Sequence, residues 1–540
     1  MAEFESKVDT HSAVFEEHRH DMLNLVETLN GISARAEALS ERRRARFEQR
    51  GQLTPRERLA RLLDPGMPFL ELFNLVNYLV DDTDPDTSVP GASAITGIGF
   101  ISGVRCMIAV DDSGINAGAL TGLTGPKLMA CMDIALDKKL PFVHLVESAG
   151  ANLMMYKVEL WAHGGGIFYR LAKLSAAGLP TLVVLHGPST AGGAYMPGMS
   201  DYVIAIKGRG RAALGSAALV HAATGEVADE EELSGAQMHA TVTGLVEYLA
   251  DDDAHGLDLA RDLVRRLDWN RHSTPLPTRA VRAPRYAIED IAGIVPTDYR
   301  RPYDAREVIA RITDASEFVD FKPLYGPSVV CVQTEVLGFP CCIVGNNGPI
   351  DPDGATKATQ FFQLADQSRT PLVFLNNITG YMVGKAYEQA GMIKHGSKMI
   401  QSVSNVHVPR ITFYIGASFG AGNYGMCGLA YEPDFLFAWP NATTGVMGGA
   451  QAARTMTQVM NLAAQRRGQT ADPCETAKQE QRLTDHFDAQ SGAFYTSGRM
   501  LDQGVIDPRD TRRVLGFALE TCAEAQHRSV QPNSFGVARM

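Results

Sequence analysis

The chain has 540 residues, 45% of them apolar and 21% charged, with a formal net charge of −11 at pH 7. That length calls for more than one domain, the composition is that of a globular protein, and the acidic balance excludes a global basic footprint for nucleic acid. Apolar runs such as "LPTLVVL" and "TPLVFL" are strand-sized, well short of the roughly 18 residues that suggest a membrane span.

The opening "MAEFESKVDT" carries acids and no apolar core, unlike a secretory signal or an Arg-rich transit peptide, so a cytoplasmic protein is expected. None of the eight cysteines forms a C-x-x-C pair and no histidines stand in H-E-x-x-H spacing. Reduced thiols and no metal site are expected.

Residues 1–90 read as a helical, highly charged extension. Its run "SERRRARFEQRGQLTPRERLARLLDPG" is a solvated helical face or a contact for an anion or a partner subunit, and "DPG" at Asp64–Gly66 stops the helix. Over 91–270, short apolar runs alternate with helix-length segments, the pattern of β-α units. A polar, proline-bearing stretch marks a linker over 271–290. The alternation then resumes over 291–540.

The second half repeats the first. Laying Pro141 on Pro371 also lays Gly150 on Gly380, an offset of 230; laying Pro180 on Pro409, an offset of 229, brings Gly187 to Gly416, Gly192 to Ala421, Gly193 to Gly422 and Tyr195 to Tyr424. Two copies of one α/β fold are predicted. Each copy carries a small-residue elbow after a strand, "STAGGAY" and "SFGAGNY". Such an elbow exposes backbone N–H groups at a helix start, and small side chains let a ligand approach them. The arrangement suits an oxygen that becomes anionic during reaction. Two elbows imply two developing oxyanions, one per half. Ser189 and Ser418 precede the glycines but have no evident base, and "TAGGAY" holds no G-x-S-x-G. The base must then come from a substrate or cofactor.

The segments "LPFVHLVESAGA", "STAGGAYMPGMSDYVI", "ATGEVADEEELSGAQMHATVTG", "ITGYMVGKAYEQAGMIKHGSKMI" and "GAGNYGMCG" together resemble the carboxyltransferase β subunits of biotin-dependent acyl-CoA carboxylases, over most of the chain. The resemblance implies two tandem crotonase-like domains with a helical N-terminal extension, the first on the acyl-CoA side and the second on the biotin side. It implies an oxyanion hole at Gly192 and Gly193 for the acyl thioester. A second, at Ala421 and Gly422 with Gly420 beside them, would serve the biotin ureido oxygen. Ala149, Gly150, Ala151, Tyr195 and Gly215 fall on the acyl-CoA side with Lys127, a candidate for a CoA phosphate; Gly380 and Tyr424 fall on the biotin side. Carboxylated biotin would arrive on a biotin carboxylase/biotin carboxyl carrier α subunit, where ATP and bicarbonate are used. The chain itself carries neither an "MKM" attachment site nor a Walker loop. The implied reaction is decarboxylation of carboxybiotin, proton removal by the biotin N1, and attack of the acyl enolate on CO2. A homohexamer within a larger α–β complex is implied, with no membrane or nucleic acid.

"GAGNYGMCG", "ITGYMVG" and "VMGGAQAA" lean towards the methylcrotonyl-CoA and geranyl-CoA carboxylase branch. The alternatives are a propionyl- or acetyl-CoA carboxyltransferase, another crotonase-fold enzyme, or a non-catalytic assembly subunit. "ESAGA" stands where the family more often has D-S-G-G-A, which sets Glu147 and Ala149 apart, and "LWAHGGGIFYR" also departs from the common version.

Overall fold

The computed structural model describes residues 2–150, 157–467 and 472–537. The chain divides into two compact units. The first joins Gly31–Pro277 with the segment from Thr521 onward; the second joins the segment up to Asn30 with Thr278–Glu520.

Strand β1 (Ala2–Glu3) belongs to the second unit. The first unit's sheet comprises β2 (Leu70–Leu72), β3 (Ala94–Ile101), β4 (Val104–Asp111), β5 (Phe142–Ser148), β6 (Thr181–Thr190), β7 (Tyr202–Ile206), β8 (Arg211–Ala213) and β9 (Tyr248–Ala250). Its order is β2-β3-β4-β5-β6-β7-β9, with β8 paired to β6. The second unit's sheet adds β10 (Glu317–Asp320), β11 (Val329–Val336), β12 (Phe339–Asn346), β13 (Leu372–Ile378), β14 (Arg410–Phe419), β15 (Phe435–Ala438) and β16 (Thr443–Gly445). The order is β1-β10-β11-β12-β13-β14-β15, with β16 on β14. In each sheet the first strands pair antiparallel and the later ones parallel. The parallel strands β5 and β13 are almost wholly buried, which is why they read as near-continuous apolar runs.

The duplication extends to local devices the sequence does not advertise. The β3–β4 hairpin turns through Ser102 and Gly103, and the β11–β12 hairpin through Leu337 and Gly338, all four with positive φ, the twist-matched geometry of a two-residue hairpin. One aspartate receives both turn amides in each case. Asp64 accepts from Ser102 N and Gly103 N at 2.8 and 2.6 Å and from Arg261 at 2.8 Å. Asp314 accepts from Leu337 N and Gly338 N at 2.8 and 2.9 Å and from Arg512 at 2.7 Å.

The units do not follow the boundaries expected from the sequence. Residues 1–90 are no separate extension: they are shared between the units and include β2. Buried Glu307 draws the N-terminal segment into the second unit, accepting from Ser6 Oγ at 2.6 Å and Lys7 N at 2.8 Å. The last residues fold back on the first unit. Arg105 holds Glu524 through two bonds of 3.0 and 3.1 Å, and Arg528 donates to the Trp269 carbonyl at 2.6 Å. The change of unit after Pro277 falls inside the 271–290 stretch.

Candidate active site

Each elbow begins where a buried parallel strand runs out. β6 ends at Thr190, a single 3-10 turn spans Ala191–Ala194, and helix Tyr195–Met199 follows. β14 ends at Phe419 and passes into helix Gly420–Gly425. The backbone turns in the left-handed region at the same place, φ +54° at both Ala191 and Gly420. The positions that follow correspond one by one: Gly192 and Ala421 are exposed, Gly193 and Gly422 buried, and Tyr195 and Tyr424 each 44% exposed. The first amides of a helical turn have no partner within the turn and sit at its positive end. With only a hydrogen or methyl at Gly192 and Ala421, a substrate oxygen can approach them.

The buried glycines are tightly packed, Gly422 more than Gly193. A Cβ on Gly193 would stand 3.2 Å from Ser189 Oγ; one on Gly422 would stand 2.8 Å from Ile378 Cγ1 and 3.0 Å from Gly380 Cα. Both serines are hydrogen-bonded. Ser189 Oγ donates to Gly193 O at 2.8 Å, and Ser418 Oγ accepts from Asn423 Nδ2 at 2.8 Å. Both are buried, and neither bond involves a base.

A second strand end flanks each elbow. β5 and β6 shift register between Val146 and Ser148, and β13 and β14 shift between Asn376 and Ile378. Beyond the shift, Ala149 and Gly150 lie beside Thr190, whose Oγ1 donates to Ala149 O at 3.2 Å. Gly150 (φ +83°) accepts at its carbonyl from Leu120 N at 2.9 Å; Gly380 (φ +126°) accepts from Ile350 N at 3.1 Å. Gly215 stands two residues beyond the end of β8, which pairs with β6 through Ser189 and Thr190. Ala151 lies outside the described residues.

Lys127 departs from expectation. It is 1% exposed, and its ammonium donates to the carbonyls of Gly91 and Ala94 at 3.1 and 2.7 Å. Burial lowers it to about 8. It closes a loop inside the first unit and does not reach a CoA phosphate. Lys357, at the same 230-residue offset, is likewise buried.

The sequence did not show Phe168 beside the elbow, and it set Glu147 apart without showing its partners. The Phe168 ring lies beside Gly192, 3.6 Å from where a Cβ would stand, and edge-on to Tyr195 at 5.3 Å; its only signal was a place in the amphipathic "GIFYRLAKL". Glu147 is 5% exposed. Its carboxylate accepts from Arg58 at 2.6 Å and from Gln52 at 3.1 Å. Burial pushes that carboxyl up, but the Arg58 guanidinium outweighs it and holds it below the usual range.

Two elbows whose own residues include no acid or base, if they bind oxyanions, would stabilise enolates but not generate them unaided. The match to known proteins agrees: the family described as the carboxyl transferase domain covers residues 46–536. The chain belongs to this family, the carboxyltransferase β subunits of biotin-dependent acyl-CoA carboxylases. It is 45% identical to the probable biotin-dependent acyl-coenzyme A carboxylase beta2 subunit of Mycobacterium tuberculosis, over 99% of this chain and 100% of that one. It is 41% identical to the 3-methylcrotonyl-coenzyme A carboxylase beta1 subunit of the same organism, over 97% and 98%. Among solved structures, the geranyl-CoA carboxylase β subunit of P. aeruginosa superposes with a TM-score of 0.93 at 45% identity, covering all of both chains. The carboxyltransferase is thus an enzyme subunit of the crotonase-fold class, as the sequence resemblance implied. Among its described residues no helix is long and apolar enough to cross a membrane.

Proposed function

We propose that this carboxyltransferase moves CO2 from carboxybiotin to a branched α,β-unsaturated acyl-CoA of the methylcrotonyl or geranyl type. The observation that carries the reading is the pair of equivalent elbows, one in each unit, with Gly192 and Ala421 exposed at the same place. In this reading Gly192 and Gly193 donate to the acyl thioester oxygen as it becomes an enolate, and Ala421 and Gly422 to the biotin ureido oxygen. The small, exposed surface at Ala421 fits a ureido group approached by backbone amides alone. Carboxybiotin supplies the CO2 and, once decarboxylated, the base. Proton loss at the γ carbon of an unsaturated acyl group still places charge on the thioester oxygen, so one hole serves that chemistry.

Each further methylene buried beyond the thioester would contribute about 0.8 kcal/mol, which would favour the longer substrate. The geranyl-CoA carboxylase β subunit supports the same choice by its fold and 45% identity. The biotin arrives on a separate α subunit, the working assembly is a cytoplasmic α–β complex built on a β homohexamer, and ATP and bicarbonate act at the α subunit. The test is kcat/KM for acetyl-, propionyl-, 3-methylcrotonyl- and geranyl-CoA with the biotinylated partner present. Preference for geranyl-CoA is expected; preference for acetyl- or propionyl-CoA would overturn the substrate assignment and leave the two-hole chemistry standing.

A further inference from the structure

The two elbows correspond, but what stands behind them differs. In the second unit the position at the register shift is Asn377, a neutral amide whose Oδ1 accepts from Ala417 N at 3.2 Å. In the first unit the same position is Glu147, with a charge to place. Arg58, 1% exposed on helix Pro55–Leu62, supplies the counter-charge. Both strands feeding the first elbow meet at this pair. Glu147 is the last residue but one of β5. β6 lies against it through Gly187, where a Cβ would stand 2.6 Å from Glu147 Cγ. β6 also reaches it through His186, which bonds Asp253 at 3.0 Å while Asp253 accepts from Arg58 Nε at 3.0 Å.

From Glu147 the contacts run outward to the elbow. The Glu147 amide donates to Asp111 Oδ2 at 3.1 Å, and Ser148 Oγ donates to Gly118 O at 2.6 Å. Thr190, the residue that precedes the Ala191–Ala194 turn, ties itself to Ala149 O at 3.2 Å. A buried ion pair adds little net stability over an apolar pair, but breaking it leaves a charge stranded; what it contributes while intact is fixed geometry at the strand ends.

We propose that the Arg58–Glu147 pair positions the first elbow: it sets the Ser148–Gly150 turn against Thr190 and thereby aims the Gly192 and Gly193 amides at the acyl thioester oxygen. Glu147 and Arg58 are positioning residues in this assignment, which rests on the first elbow being the acyl side. The neutral Asn377 leaves the other elbow independent of any such charge.

The experiment compares wild type, Glu147→Gln, Thr190→Val and the double variant. Amide hydrogen exchange of the isolated subunit gives a readout independent of substrate. Exchange should quicken in peptides spanning 142–150 and 187–195 and stay unchanged over 418–425. In carboxyl transfer with the biotinylated partner, kcat should fall about 10- to 100-fold in Glu147→Gln, the scale of a misplaced reacting group, with KM for acyl-CoA held within roughly threefold. Release of CO2 from carboxybiotin without acyl-CoA should match wild type. The double variant should lose less than the product of the single losses, because both act on one chain of contacts. Exchange that quickens evenly through the whole first unit, losses that multiply, or a raised KM at unchanged kcat would overturn the proposal. Should Glu147→Gln not fold, Thr190→Val alone must show the same split. If wild type carboxylates no acyl-CoA, the acyl-side reading falls, while the exchange pattern still decides whether Glu147 positions the elbow.

Discussion

Gly192 and Ala421 occupy one place in two copies, and the second copy already tolerates a methyl there. Gly192→Ala should therefore fold normally, with its new Cβ in ordinary contact with Phe168. Gly422→Ala would press on the Gly380 backbone and Ile378, an overpacking that costs about 1–3 kcal/mol. Denaturant unfolding of the two variants checks the contrast; equal stabilities would mean that the buried glycines are not packing-limited. Lys127 gives a second residue-scale test. Lys127→Met removes a donor from the Ala94 and Gly91 carbonyls, of which Gly91 keeps the Ala94 amide at 3.1 Å, a loss of about 1–3 kcal/mol for an unsatisfied buried group, while KM for acyl-CoA stays unchanged. A KM rise at unchanged stability would restore the lysine to the CoA site. A lysine near a helix start reads the same on a surface as in a core. Its acceptors lie more than thirty residues earlier in the chain, at Gly91 and Ala94, so no local pattern could separate the two.

At the scale of elements, the paired hairpins show how a positive-φ turn is held. Asp314 is completely buried and receives two turn amides and Arg512; Asp64 does the same for the other hairpin with its Arg261 pair partly exposed. Asp314→Ala should cost about 3–5 kcal/mol, because it strands a buried arginine. Adding Arg512→Met should recover part of that loss. Asp64→Ala should cost less, since water reaches its arginine. Thermal unfolding of the three variants measures this, and equal losses for Asp314→Ala and Asp64→Ala would show that burial of the arginine does not set the cost. The strands themselves were legible in the sequence, since parallel strands buried on both faces leave apolar runs, and the buried glycines Gly193 and Gly422 stand where a Cβ would be crowded. The aspartate–arginine anchors were not. Asp64 and Arg261, like Asp314 and Arg512, lie nearly two hundred residues apart, and a charged residue on a helix gives no sign of so distant a partner. The terminal segments were misplaced for the same reason: Glu307 and Arg105 claim them through long-range bonds, two each.

For the whole molecule, the family membership and the repeated elbows make one claim: each unit holds one of two oxyanions, and the protein supplies neither base nor nucleophile. Variants at the two exposed elbow positions separate the halves without disturbing the core. Gly192→Val should block approach to the acyl side, and Ala421→Val approach to the biotin side, each with loss of an oxyanion interaction worth roughly 10²–10³ in rate. The decisive measurement follows CO2 release from carboxybiotin in the absence of acyl-CoA alongside complete carboxyl transfer, for both variants with the biotinylated partner. The account predicts that Gly192→Val keeps CO2 release and loses transfer, whereas Ala421→Val loses both; release that survives in Ala421→Val, or that disappears in Gly192→Val, would contradict it.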